Sequence, residues 1–95
     1  MEEKIVALNP DKNKMGVKIS KAKYDVVREA IIAALRFHGE LTFTELVESV
    51  NKKLSGSFDG SISWYTVTVK LDLEARNEIV RVPRINPQRL RLAMG

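Results

Sequence analysis

Residues 62–77 read ISWYTVTVKLDLEARN, and the structure of this stretch decides the fold. Apolar and polar residues alternate strictly over residues 67–73, which is typical of a half-buried strand. The alternative is a helix, because residues 73–76 are good helix formers and Asn77 tolerates the left-handed backbone of a helix end. The elements that flank the stretch favour the helix.

On a helix, the apolar residues of this stretch fall into two stripes on different sides. We expect the first stripe to be buried and Trp64 to lie in the core. We expect Tyr65 to be partly exposed at one edge of the second. The first stripe comprises Trp64, Val67, Leu71 and Ala75, and the second Ile62, Tyr65, Val69 and Leu73.

Two helices are predicted before this stretch. Apolar residues recur at intervals of three and four over residues 21–38, with Ser20 as a candidate N-cap and Gly39 suited to the helix end. The second helix spans about residues 42–54. It begins with Thr42-Phe43-Thr44-Glu45, the pattern of a capping box, which predicts a tight turn between the two helices.

A β-hairpin is predicted after residue 77. Two alternating runs, residues 79–83 and 88–92, flank an Asn-Pro turn signal. Pleat geometry would place Val80, Val82, Leu90 and Leu92 toward the core. The opposite face would then carry Arg81, Arg89 and Arg91, with Arg84 near the tip.

The first twenty residues have a different character. Two short β-branched runs surround a polar loop that is rich in turn formers, residues 9–16. We therefore divide the chain into an extended N-terminal arm or loose hairpin, residues 1–20, and one folded domain, residues 21–95. The predicted fold class is α+β.

Composition excludes several classes of function. With 95 residues the chain forms one small domain that leaves little room for a large active-site pocket. It has no cysteine and one histidine, His38, so we expect no metal, no cofactor and no enzymatic activity. We find no secretory signal and no apolar run of transmembrane length, and we expect a cytoplasmic protein with no membrane contact.

The order of elements resembles a winged helix-turn-helix domain over about residues 21–92. The resemblance rests on LTFTELV at residues 41–47, which is similar to the start of helix 2 in such domains, and on VKLDLEARNEIVRV at residues 69–82, which is similar to a recognition helix running into the wing. It implies three helices followed by a two-stranded wing. Three shorter segments resemble a family of small uncharacterised microbial winged-helix proteins: DGSISWY (59–65), VKLDLEA (69–75) and PQRLR (87–91).

The resemblance implies binding to double-stranded DNA, as in transcriptional regulators of this kind. In such domains the third helix enters the major groove, so Thr66 and Lys70 are the candidate groove contacts. The four wing arginines are the candidate phosphate contacts, because forked guanidinium donors match phosphate oxygens. These are Arg81, Arg84, Arg89 and Arg91.

The charge distribution keeps a second function open. Residues 1–23 carry six lysines against three acids, residues 24–78 six bases against nine acids, and residues 79–95 four arginines and no acid, giving +3, −3 and +4. A recognition helix in an acidic segment suits DNA poorly. The alternative is a protein partner or a homodimer that binds the second apolar stripe, at Tyr65, Val69 and Leu73.

Overall fold

The computed structural model describes residues 2–84 and 86–93. They form an α+β fold of three helices and two small antiparallel sheets, with strands both before and after the helices. In chain order the elements are β1 (Lys4–Ala7), β2 (Val17–Ser20), α1 (Lys21–His38), β3 (Glu40–Thr42), α2 (Phe43–Leu54), α3 (Ile62–Ala75), β4 (Ile79–Val82) and β5 (Arg89–Leu92).

Helix α1 begins and ends where its sequence predicts. The Ser20 hydroxyl accepts a hydrogen bond from the Lys23 amide at 3.3 Å, and Gly39, at φ 82°, donates its amide to the Leu35 carbonyl. A positive φ is costly for a residue with a Cβ, which explains the glycine. The helix buries one face against both other helices and the sheets.

Helix α2 has the predicted capping box. The Glu45 amide donates to the Thr42 hydroxyl at 3.1 Å, and the Thr42 amide donates to the Glu45 carboxylate at 2.9 Å. Two of the amides that a helix start leaves unpaired are thereby satisfied. Leu46, Val50 and Leu54 are the buried residues of this helix.

Residues 62–75 form a helix, as we favoured, and not a strand. The Ser61 hydroxyl caps its start by accepting from the Trp64 amide at 3.1 Å. At its end Asn77 adopts φ 61°, and the Glu78 amide donates to the Leu73 carbonyl at 2.9 Å. This left-handed turn ends the helix and sends the chain into β4.

The two apolar stripes of α3 are buried differently from our expectation. Trp64, expected in the core, is 46% exposed, whereas Val69 and Leu73, which the alternative of a protein partner required at the surface, are fully buried. The physical reason is that α1, α2 and β1 all pack against α3, and together they cover the side that carries Val69 and Leu73. The other stripe is left at the surface.

The second sheet has the strand order β3–β5–β4. Ile79 is buried and pairs with Leu92, and directly opposed residues of antiparallel strands lie on the same face. The core side of β4 therefore begins with Ile79. Our placement of Val80 and Val82 toward the core was wrong, because the turn after α3 brings Ile79 inward.

The N-terminal residues form a hairpin. β1 pairs with β2 in register from Lys4 opposite Ser20 to Ala7 opposite Val17. Ala7 and Ile19 are buried in the common core, so the hairpin is packed onto the helices through these two side chains.

A buried carboxylate joins this hairpin to α1 and α3. Asp72 is fully buried and accepts hydrogen bonds from the Tyr24 hydroxyl, from the Leu8 amide at 2.8 Å and from Arg76 Nε at 2.9 and 3.0 Å. The hydrogen bond to Asp72 also raises the pKa of Arg76. A buried charge is tolerated only where such partners surround it.

We predict that Thr42→Ala destabilises the protein by about 1 kcal/mol, because it removes one half of the capping box. In a thermal unfolding experiment the midpoint should fall by about 4–8 °C. Thr44→Ala is the matched control, since Thr44 is exposed in the first turn of the same helix. Equal midpoints for the two variants would contradict the role of the cap.

We predict a loss of stability at high pH that depends on Tyr24. Burial, helped by the hydrogen bond to Asp72, raises the pKa of Tyr24 well above its ordinary value. A tyrosine whose pKa is higher in the folded than in the unfolded protein stabilises the fold. This stabilisation is complete below the unfolded pKa of about 10, and it falls as the pH rises further, because the unfolded state loses its proton first. Relative to Tyr24→Phe, the wild type should lose about 1.4 kcal/mol between pH 9 and 11.

Urea unfolding midpoints measured from pH 8 to pH 11 test this prediction. Tyr65→Phe keeps Tyr24 and should retain the wild-type slope. Parallel curves for the wild type and Tyr24→Phe would contradict the predicted dependence.

Candidate nucleic-acid interface

The exposed side of α3 differs from the predicted one. Ser63, Trp64 and Val67 are exposed near its N-terminus, with Trp64 at 46% and Val67 at 38%. Thr66, the predicted groove contact, is fully buried, and its hydroxyl donates to the Ile62 carbonyl at 2.7 Å. Thr66 therefore lies out of reach of a ligand on this surface.

An internal ion triad lies at the C-terminal half of α3. The Glu74 carboxylate lies 2.7 Å from Lys70 Nζ and 3.1 Å from Arg81 Nε, and its side chain is only 8% exposed. Lys70 also lies over the ring of Phe43, 5.5 Å from its centroid. Two of the predicted DNA contacts, Lys70 and Arg81, are thus paired within the chain with a single carboxylate, which offsets one of their two positive charges.

The predicted common face of the wing arginines is only partly present. Arg89 and Arg91 lie on the outer face of the sheet, but Arg81 lies opposite Leu90, at the edge of the core face. Arg81 differs because β4 enters the sheet with Ile79 inward, which puts every second residue after it on the core side.

The outer arginines have weak internal partners. Arg89 lies 3.9 Å from Glu45, whose pKa is lowered chiefly by the hydrogen bond from the Thr42 amide. Arg91 is exposed and has no acid within ion-pair distance among residues 2–84 and 86–93, and the same holds for Arg84. Arg84 has φ 63° in the turn between the strands. These side chains can bind an anion with little internal competition.

The N-terminal hairpin adds exposed lysines, and with four lysines against three acids residues 1–20 carry one net positive charge. Lys4, Lys12, Lys14 and Lys18 are exposed, and three of them lie in or beside the loop between β1 and β2. This segment packs against α3 from one side through the Leu8–Asp72 hydrogen bond. The basic wing contacts the same helix through Arg81 and Glu74. The structure therefore brings both positive ends of the chain to α3.

An aromatic group with a lysine lies at the start of α3. Tyr65 makes edge-to-face contacts with Phe58 at 5.1 Å and with Trp64 at 4.9 Å between ring centroids. Lys23 Nζ lies 5.6 Å from the Tyr65 centroid. The contacts hold Trp64 in place at the surface. A fixed, exposed indole is suited to contact bases or an apolar partner.

The described part of the chain offers no assembled metal site. No three side chains of His, Asp or Glu converge within residues 2–84 and 86–93. None of the helices there is long and apolar enough to cross a membrane.

Two features of this site were missed from the sequence. The ion pairs of Glu74 with Lys70 and Arg81 were not predicted. The seven-residue spacing of Glu74 and Arg81 spans a helix end and a turn, so no local pattern reveals the pair. The exposure of Trp64 likewise depends on packing between distant elements.

Comparison with known proteins gives a family without a known activity. No curated protein and no solved structure matches the chain. A family model described as "Family of unknown function (DUF6958)" matches residues 4–90, which include every helix and most of the strands. The chain therefore belongs to the DUF6958 family.

Proposed function

We propose that this chain is a winged helix-turn-helix domain that binds double-stranded DNA without catalysis. The order α1–β3–α2–α3–β4–β5, with β3 added to the hairpin of β4 and β5, supports this interpretation. In this arrangement α3 takes the place of the recognition helix, and β4 and β5 form the wing.

One observation carries the proposal: both basic ends of the chain pack against α3. The N-terminal hairpin, residues 1–20, carries four lysines against three acids, and the wing carries four arginines and no acid; both flank a helix whose own exposed side is uncharged. DNA has phosphates on both sides of each groove, so two basic flanks around one helix suit it.

The proposed contacts differ from the sequence prediction. Arg84, Arg89 and Arg91 bind phosphates, while Ser63 and Trp64 approach the groove. Arg81 and Lys70 have a supporting role, because both are paired with Glu74. An uncharged helix surface can read thymine methyl groups by apolar contact, which gives some sequence preference without guanidinium contacts to bases.

We predict that the logarithm of DNA affinity falls with the logarithm of salt concentration at a slope of about −3 per bound chain, for three neutralised phosphates. Arg84→Asn and Arg91→Gln should each reduce this slope by about 1. Asparagine is chosen at position 84 because it tolerates the left-handed backbone there. Fluorescence anisotropy with a short duplex of mixed sequence measures both quantities.

The control for this experiment is Lys52→Ala, which removes an exposed cation from the end of α2. Its slope should equal that of the wild type. The proposal fails if the wild type does not bind DNA at about 50 mM salt, or if the control and the wing variants lose affinity equally.

A second candidate function is supported by the apolar surface of α3. Trp64 and Val67 are exposed, and Leu71 is half-buried beside them. Such a stripe suits a groove or helix of a protein partner. The alternative function, a protein interaction, is therefore retained with a different contact. Val69 and Leu73 are buried, so the contact would be the opposite stripe, at Trp64, Val67 and Leu71.

We predict that Trp64→Ala separates the two candidates. If α3 enters the groove, DNA affinity should fall about fivefold or more with an unchanged salt slope, because an uncharged contact is lost. If α3 serves a protein partner, DNA affinity should stay within about twofold of the wild type. Met15→Ala, which changes an exposed apolar residue of the β1–β2 loop, is the control for both.

A further inference from the structure

Helix α1 carries an exposed apolar stripe that the proposed DNA contacts do not use. Val26 is 45% exposed, Ala33 is half-buried, and Phe37 is 84% exposed. At about 100° per residue these three side chains lie within roughly 40° of one another. We call them the α1 stripe. Scattered exposed apolar residues are ordinary, but three on one face of one helix form a patch that water solvates poorly.

The charges beside the α1 stripe are self-complementary. Glu29 and Arg36 are both exposed and lie on the same flank of the helix, and neither forms an ion pair within residues 2–84 and 86–93. They lie at equal distances on either side of the pair Ile32 and Ala33 in the sequence. A second copy of α1 packed antiparallel would place each Glu29 beside the other copy's Arg36.

A twofold axis explains this pairing. Rotation about an axis that passes beside Ile32 and Ala33 exchanges the two helices and reverses their direction, and it keeps their charged flanks on the same side. The two ion pairs then form together, one at each end of the contact. The small side chain of Ala33 at the crossing allows the two helices to approach closely.

The surface beside the α1 stripe also has room for a partner's side chain. A groove of about 570 Å³ runs along α1 toward Lys53 of α2, and Glu29, Ala33 and Arg36 are among its lining residues. In the antiparallel arrangement the Phe37 ring of the other copy reaches the part of α1 near Glu29 and Val26. Burial of an aromatic ring in this way is a common anchor of protein interfaces.

We propose that the chain forms a twofold homodimer through the α1 stripe, with two reciprocal Glu29–Arg36 ion pairs. This interface shares no residue with the proposed DNA contacts, so the two proposals stand or fall separately. It differs from the dimer contact predicted from the sequence, which placed Val69 and Leu73 at the interface.

Sedimentation equilibrium of the full chain at concentrations up to about 200 µM tests the proposal. A dimer that has not formed at this concentration would have a dissociation constant too high for a specific interface. We expect twice the chain mass of 10.7 kDa. Phe37→Ser should shift the protein to monomer, and Trp64→Ser, which changes the exposed aromatic residue of α3, should leave the dimer intact. A wild-type monomer at this concentration, or a dimer broken by Trp64→Ser and not by Phe37→Ser, would overturn the proposal.

A charge exchange tests the antiparallel arrangement itself. Glu29→Arg and Arg36→Glu should each weaken the dimer about tenfold or more, because like charges then face each other twice. The double variant should restore the wild-type dissociation constant to within about threefold. Additive weakening in the double variant would show that the two residues do not meet and would overturn the ion pairs. Circular dichroism of each variant shows whether the fold is retained, as expected for exposed positions.

Discussion

The buried carboxylate of Asp72 holds the N-terminal hairpin against α1 and α3. Its oxygens accept from a side chain of α1, from the backbone after β1 and from the last turn of its own helix. Without these donors the charge would cost several kcal/mol in the interior, so the carboxylate favours the arrangement that brings the three elements together. The hairpin thereby becomes part of the core, and the side of α3 that carries Val69 and Leu73 is closed.

Because other elements cover one side of α3, only the side chains of its other side are available for contact with a ligand. Glu74 pairs with both Lys70 and Arg81 and offsets one of their two charges, and the exposed residues of the helix are uncharged. Net positive charge is then concentrated in the wing, with a smaller excess in the N-terminal hairpin. On such a surface the flanks attract a polyanion, and the helix contributes shape and apolar contact.

Much of the fold follows from local sequence signals. The caps of α1 and α2 lie within four residues of the groups they satisfy, and their positions were predicted correctly. The helix at residues 62–75 was predicted from its flanking elements rather than from its own alternating pattern. The site was predicted less well, because burial of Thr66 and exposure of Trp64 depend on how α1, α2 and β1 pack against α3. The Asp72 contacts join residues 48 and 64 positions apart, which no periodicity encodes.

The left-handed turn at Asn77 has a consequence for how the wing can evolve. Strand side chains alternate between two faces. Whether the number of residues between the end of α3 and the start of β4 is odd or even therefore decides which face of β4 points to the core. With the present length, Ile79 points inward and Arg81 comes close to Glu74. One residue more or less would exchange the two faces of β4 while leaving its composition untouched. Relatives with a similar wing sequence but a different turn length would therefore present a different surface.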